Sequence, residues 1–204
     1  LGDVYKRQEL EEYAANGLVD TWWDNVYEAF KDDGEQHGFF IEHIYFSGFW
    51  SQGDGASWTG SIDVRVFVAK HYAEDDPKRL ILLALMNEFY LNHHVSVRVS
   101  GRYCHENTMY LREGMDYLTP FDDHVMGKGV YQGAKVTDVY EALGGDDAIA
   151  ELDDALIKAA RSYAVELYKA LEEEYEYLTS EEAYVEYCMC NEVEFEVEDE
   201  TQSV

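Results

Sequence analysis

Between Asp147 and Leu178, apolar residues recur at Ile149, Leu152, Leu156, Ala160, Tyr163, Leu167 and Leu171. Steps of three and four place these residues on one side of an α-helix and on no single side of a strand. A helix of about nine turns with one apolar stripe must lay that stripe on something. The rest of the chain therefore has to supply a broad apolar layer.

The layer reads as a sheet. The runs IEHIYFSGFW and ASWTGSIDVRVFV flank SQGDG, whose Asp54-Gly55 is a turn signal, so the pair predicts an antiparallel hairpin. In the second run Ile62, Val64, Val66 and Val68 alternate with Asp63, Arg65 and Phe67, which predicts a strand continuing through Val68. Gly48 and Gly60 are the expected bulge positions. A second hairpin is predicted from VSVRVSG, with Val95, Val97 and Val99 on one face, and RYCHENTMYLRE, joined by a turn at Ser100-Gly101.

Helices fill the remainder. Apolar spacing from Val19 to Phe30 predicts one that closes at Gly34. Asp76 and Pro77 stand where a cap and a first helical residue belong, which starts another helix running to His93-His94. Thr179 and Glu182 have the spacing of a capping box for a last helix. Residues 119–135 show no period and read as a long loop, and VEFEVEDE as an edge strand before a tail. The sum is an α+β fold: an antiparallel sheet of about four strands in two hairpins, packed with helices, the longest near the C-terminus. Residues 9–190 are expected to form one domain and 191–204 an acidic edge strand or tail. The opening LGDVYKRQEL resembles a translated adapter sequence, so residues 1–8 are set aside from functional reading.

Charge narrows the function classes. The formal net charge is −28, and Glu141 to Val204 holds 20 acids against 3 bases. Such a chain is repelled by nucleic acid and anionic lipid and attracted to basic surfaces. No apolar run approaches the roughly 18 residues of a membrane span, and no apolar leader segment is visible, so a cytoplasmic protein is expected. Cys104, Cys188 and Cys190 make no disulfide framework.

Three groups of residues are candidates for function. Phe49, Trp50, Gln52, Asp54 and Trp58 lie around the Gly-rich turn and could contact a ligand or partner through flat rings. His43, His105 and Glu106 could combine across neighbouring strands as a polar site, although His105 and Glu106, adjacent on a strand, would face opposite ways. Glu172, Glu173, Glu174, Glu176, Glu181, Glu182, Glu194, Glu196 and Glu198 form a candidate acidic face for a partner. The C-x-C pair at Cys188 and Cys190 would point about 200° apart on a helix, so no metal is expected there. No cofactor, phosphate-binding loop or nucleophile elbow is indicated, and the features point away from an enzyme.

The segments IYFSGFWSQGDGASWTG, VSGRYCHENTMY and LEEEYEYLTSEEAYVE, in that order, resemble a group of uncharacterised proteins of bacteriophages and related mobile elements, some described as antitoxin-like. The resemblance covers roughly residues 18 to 198 and supplies no catalytic residues. It implies a small protein working inside an infected bacterial cytoplasm. The expected function is then non-enzymatic: an acidic protein that binds and inhibits a basic host or defence protein, such as a nuclease, by nucleic-acid mimicry. The alternatives are a nucleotide or sugar binder, or an enzyme, using the aromatic hairpin, and an accessory structural phage protein.

Overall fold

A computed structural model describes residues 10, 12–13, 21–88, 94–112, 130–131 and 134–192. The backbone falls into two compact units, Asn25–Ala170 in one, and the residues up to Asp24 with those from Leu171 in the other. The fold is α+β.

In the larger unit α1 (Asp24–Gln36) leads into β1 (Phe39–Phe46) and β2 (Ala56–Asp63). Then come α2 (Val64–His71), α3 (Pro77–Glu88), β3 (His94–Val99) and β4 (Met109–Leu111). The four strands form one antiparallel sheet in the order β1-β2-β3-β4. A two-stranded ribbon, β5 (Val130–Tyr131) with β6 (Ala134–Lys135), precedes α4 (Val136–Leu143) and α5 (Gly145–Leu178).

The long helix does what its stripe requires. Leu152, Leu156, Ala160, Tyr163, Ala164 and Leu167 of α5 are buried, and most join a core with Phe39, Trp58, Ile62, Val95, Val97 and Met109 of the sheet. Polar contacts fix the crossing. The Trp58 indole Nε1 donates to the Ala160 carbonyl at 3.2 Å. The Arg161 guanidinium donates to the Met109 carbonyl, with its shorter bond at 2.7 Å.

β1 contains a bulge that its sequence demands. Phe39 and Ile41 face the core, but so do Ile44 and Phe46, three and five residues further on. The register shifts between Ile41 and His43, so Glu42 is the extra residue and restores the inward phase. Gly60 stands opposite, where a Cβ would collide with the Phe40 carbonyl oxygen. The bulge expected at Gly60 thus belongs to the facing strand.

Several local expectations are corrected. The strand predicted to run through Val68 stops at Asp63 and becomes α2. Asp63 Oδ1 accepts the N–H groups of Arg65 (2.9 Å) and Val66 (3.1 Å), a helix N-cap that outweighs the period-two pattern. Val64, Phe67 and Val68 are then buried on one helical side. α1 does not end at Gly34: it runs to Gln36, and Gly34 is buried where a Cβ would crowd Phe39 and Ile41. The stop is Gly38, at φ 83°. His94 opens β3 instead of closing a helix, while His93 lies outside the described residues. The Asp76 cap is as expected, its carboxylate accepting the Lys78 N–H at 2.8 Å.

In the smaller unit α6 spans Glu181–Cys190. Its cap is Ser180, whose Oγ accepts the Ala183 N–H at 3.2 Å, one residue later than the box expected at Thr179. Thr179 Oγ1 instead donates back to the Tyr175 carbonyl at 2.8 Å. Trp22 packs edge-on to Trp23 and against Tyr175, and Tyr13 against Tyr184 and Tyr187. The loop expected at 119–135 and the strand expected in VEFEVEDE lie almost wholly outside the described residues.

Candidate functional site

The Gly-rich stretch is a shaped loop at one end of the sheet. Asp54 Oδ2 accepts the Ser51 N–H, and Asp54 N–H returns to the Ser51 carbonyl at 3.0 Å. Gly55 sits against the chain at Cys104 and His105, where a Cβ would meet backbone at 3.0 Å. The first hairpin loop therefore rests on the connection between β3 and β4.

The five aromatic-loop candidates separate. Trp58 is fully buried, so the structure removes it as a contact residue: its ring belongs to the core and its N–H is spent on Ala160. Phe49 is half-buried and packs on Phe46 (4.9 Å) and Tyr168 (5.5 Å). Trp50 is 82 % exposed, with Gln52 beside it in the open. Tyr103, on the adjoining connection and not singled out from sequence, is 68 % exposed, and a Cβ at Gly53 would come to 3.9 Å of its ring.

The second group is rearranged. His105 is not on a strand but caps the 3-10 turn Glu106–Thr108, so it and Glu106 meet instead of facing apart. His105 Nδ1 lies 2.8 Å from a Glu106 oxygen and 3.2 Å from the Asn107 amide nitrogen. These contacts exclude each other: a protonated Nδ1 donates to the carboxylate, an unprotonated one accepts the amide. His43 does not join them. It is exposed on β1 opposite Thr59, about 13 Å of strand from the level of Gly55, where His105 rests.

Among the described residues no cation pairs with the acids of residues 171–192. This stretch contains no Lys, Arg or His. Among the described residues, Glu172, Glu173, Glu174, Glu176, Glu181 and Glu182 make no ion pair; the pairs found are elsewhere, such as Lys78 with Glu151 at 2.6 Å. At 100° per residue, the four glutamates ending α5 occupy every side except that of Leu171, Tyr175 and Leu178. On α6 the buried side is marked by Ala183 and Cys188. Its outer side carries Met189, 75 % exposed, and Val185, 47 % exposed, between Glu181, Glu182 and Glu186. Glu186 also accepts from the Tyr177 hydroxyl at 3.1 Å, which raises the phenol above its ordinary pKa. Glu194, Glu196 and Glu198 lie outside the described residues.

A cleft of about 470 Å3 lies in the larger unit, lined by residues of α1, α2 and α5 with Phe39 of β1. The Tyr163 hydroxyl donates within reach of two acceptors, Asp33 Oδ2 at 2.8 Å and the Phe30 carbonyl at 2.9 Å. Burial, then the bond to Asp33, pushes this phenol far above its ordinary pKa. His37 and His71 approach with ring centres 6.1 Å apart, and His71 stacks on Phe67 at 4.3 Å. Burial, then His37, then Lys70 holds His71 below the usual imidazole value. Nothing in the sequence reading found this cleft. The one available signal was the pairing of Asp33 with His37 and Phe67 with His71, each four residues apart on a helix face.

Residues 22–181 match a family described as Domain of unknown function (DUF8835). The chain belongs to that family. No curated protein and no solved structure is detectably similar to it. The DUF8835 match takes in the sheet-end loops, the cleft and the acids ending α5, and stops at the first residue of α6. Among the described residues no group of three or more His, Cys, Asp and Glu is placed to hold a metal ion, and no helix is long and apolar enough to cross a membrane.

Proposed function

We propose that this DUF8835 protein is a non-enzymatic binder that docks its C-terminal helical segment on a basic protein. The observation that carries this is the outer side of α6, where exposed Met189 and Val185 stand among Glu181, Glu182 and Glu186 with no cation in residues 171–192. Carboxylates steer a cationic surface in and reject anionic ones, while the apolar pair supplies area that loses water on contact. The matching partner presents an apolar patch ringed by Lys and Arg, as many nucleic-acid-binding proteins do, and occupying that patch would inhibit it. The sequence likeness to phage and mobile-element proteins supports a setting in a bacterial cytoplasm, with a host or defence protein as the target.

The test is capture from bacterial lysate by the full chain and by a variant with Glu173, Glu176, Glu181, Glu182 and Glu186 changed to Gln. The native chain should retain basic proteins at low salt and release them as salt shortens the screening length to about 3 Å near 1 M. Equal retention by both chains would remove the proposal.

The exposure of Trp50 and Tyr103 on a shaped loop favours a second reading, contact with a nucleotide or sugar at the sheet end. Tryptophan fluorescence against such a panel decides it: quenching lost in Trp50→Ala supports this reading, and no response rejects it.

A further inference from the structure

The cleft among α1, α2 and α5 shares no residue with either surface above, and its walls have a chemistry of their own. Its rings form a connected chain: Phe39 lies 5.2 Å from Tyr163, Tyr163 6.3 Å from His37, His37 6.1 Å from His71, and His71 4.3 Å from Phe67. Ala155, Ala159 and Ser162, small residues on one side of α5, leave the space open. Asp33 and Glu166 stand at the rim, and both act on the Tyr163 hydroxyl electrostatically, so the negative field converges there. Lys158 is eight residues before Glu166, about 12 Å of helix rise away, which confines the positive charge to the far end.

We infer that this cleft binds a small organic ammonium ion, a quaternary or alkylated amine seated against the accessible His37 and His71 rings, with the buried Phe39, Phe67 and Tyr163 rings packed behind them and Asp33 and Glu166 as its counter-charges. Ring faces attract a cation whose alkyl shell sheds water easily, and carboxylates at the edge add attraction without filling the space. One lysine facing two carboxylates makes a poor seat for a phosphate or carboxylate ligand. The volume lies within the range of small-molecule sites.

His71 makes the site pH-dependent. In its neutral form it offers the ring face turned away from Phe67, and its protonated form opposes a cation. The charged and titratable groups facing it are Asp33, His37, Lys70, Lys158, Tyr163 and Glu166. Only Asp33 and Glu166 counter the new positive charge, so acid weakens binding.

Choline and its uncharged isostere 3,3-dimethyl-1-butanol provide the test, read by the NMR signals of the His37 and His71 ring protons in the full chain. Saturable shifts are expected with choline, at about tenfold higher affinity than with the alcohol, the scale of a desolvated cation–π contact. Ser162→Trp, which fills the cleft from an exposed position, should abolish them, and Glu166→Gln, a milder change at the rim, should weaken choline alone. Lowering the pH through the imidazole titration should release the ligand. Equal affinity for both probes, shifts that survive Ser162→Trp, an unchanged choline affinity in Glu166→Gln, or no saturable shifts would each overturn the inference.

Discussion

Several polar side chains in Asn25–Ala170 hold the fold together, whereas among the described carboxylates of residues 171–192 only Glu186 has a side-chain bond. In the larger unit Asp63 and Asp76 cap helices, Asp33 accepts from Tyr163, Glu151 pairs with Lys78, and Arg161 ties α5 to β4. In residues 171–192 the side-chain bonds come mainly from Thr179, Ser180 and Asn191, and among the glutamates Glu186 takes the Tyr177 hydroxyl. An acid that caps a helix is explained by the fold. A run of acids with no ion pair among the described residues costs self-repulsion and is not explained by the fold around it.

The widest separation is expected between two tryptophans of one hairpin. Trp58→Ala should cost about 3–5 kcal/mol through the cavity it leaves, read from denaturant unfolding. Trp50→Ala should stay within about 0.5 kcal/mol of the native chain. A comparable loss at both would mean that the loop is as much a part of the core as the strand.

Next comes a contrast among acids. Asp63→Ala should cost about 1–2 kcal/mol by freeing two N–H groups of α2. Glu173→Gln and Glu176→Gln, exposed in the last turns of α5, should cost nothing or stabilise slightly by relieving repulsion and the opposing helix dipole. A loss at the glutamates equal to that at Asp63 would erase the distinction between the regions.

A smaller effect is expected from pH. Because the fold holds His71 below the usual value of about 6.5, folding favours its neutral form. The unfolded chain then binds more protons over that interval, so stability is full above about pH 6.5 and declines as the pH falls toward the lower, folded value. His71→Phe should flatten that part of the stability profile, and an unchanged profile would assign the slope to other groups.

The smallest effect belongs to α6. Cys190 is exposed in the last turn of α6, one turn after Glu186, and Cys190→Lys should add a Glu-to-Lys attraction worth about 0.2–0.5 kcal/mol, measured as a gain in helix stability. Destabilisation would contradict that reading of the α6 surface.

Much of the architecture was legible because single elements declare themselves. The α5 stripe and the Asp76-Pro77 start depend on neighbours in sequence, and both stand as read. α2 was missed because Val64, Val66 and Val68 fit a strand as well as a helix, and the deciding group was the Asp63 carboxylate one residue earlier. The β1 bulge was visible only as a mismatch between Ile41 and Ile44. Trp50 and Trp58 look alike in sequence, and only the crossing of α5 tells which is buried. The cleft was illegible because the local pairs Asp33 with His37 and Phe67 with His71 meet each other, Tyr163 and Glu166 only through tertiary packing.

The most direct test of the account is the salt dependence of affinity between the full chain and a captured basic protein, measured for the native chain and the five-glutamine variant. The account predicts a steep rise of Kd with salt for the native chain and a slope reduced by about half or more in the variant, because fewer carboxylates meet the cationic surface. Identical slopes would contradict it.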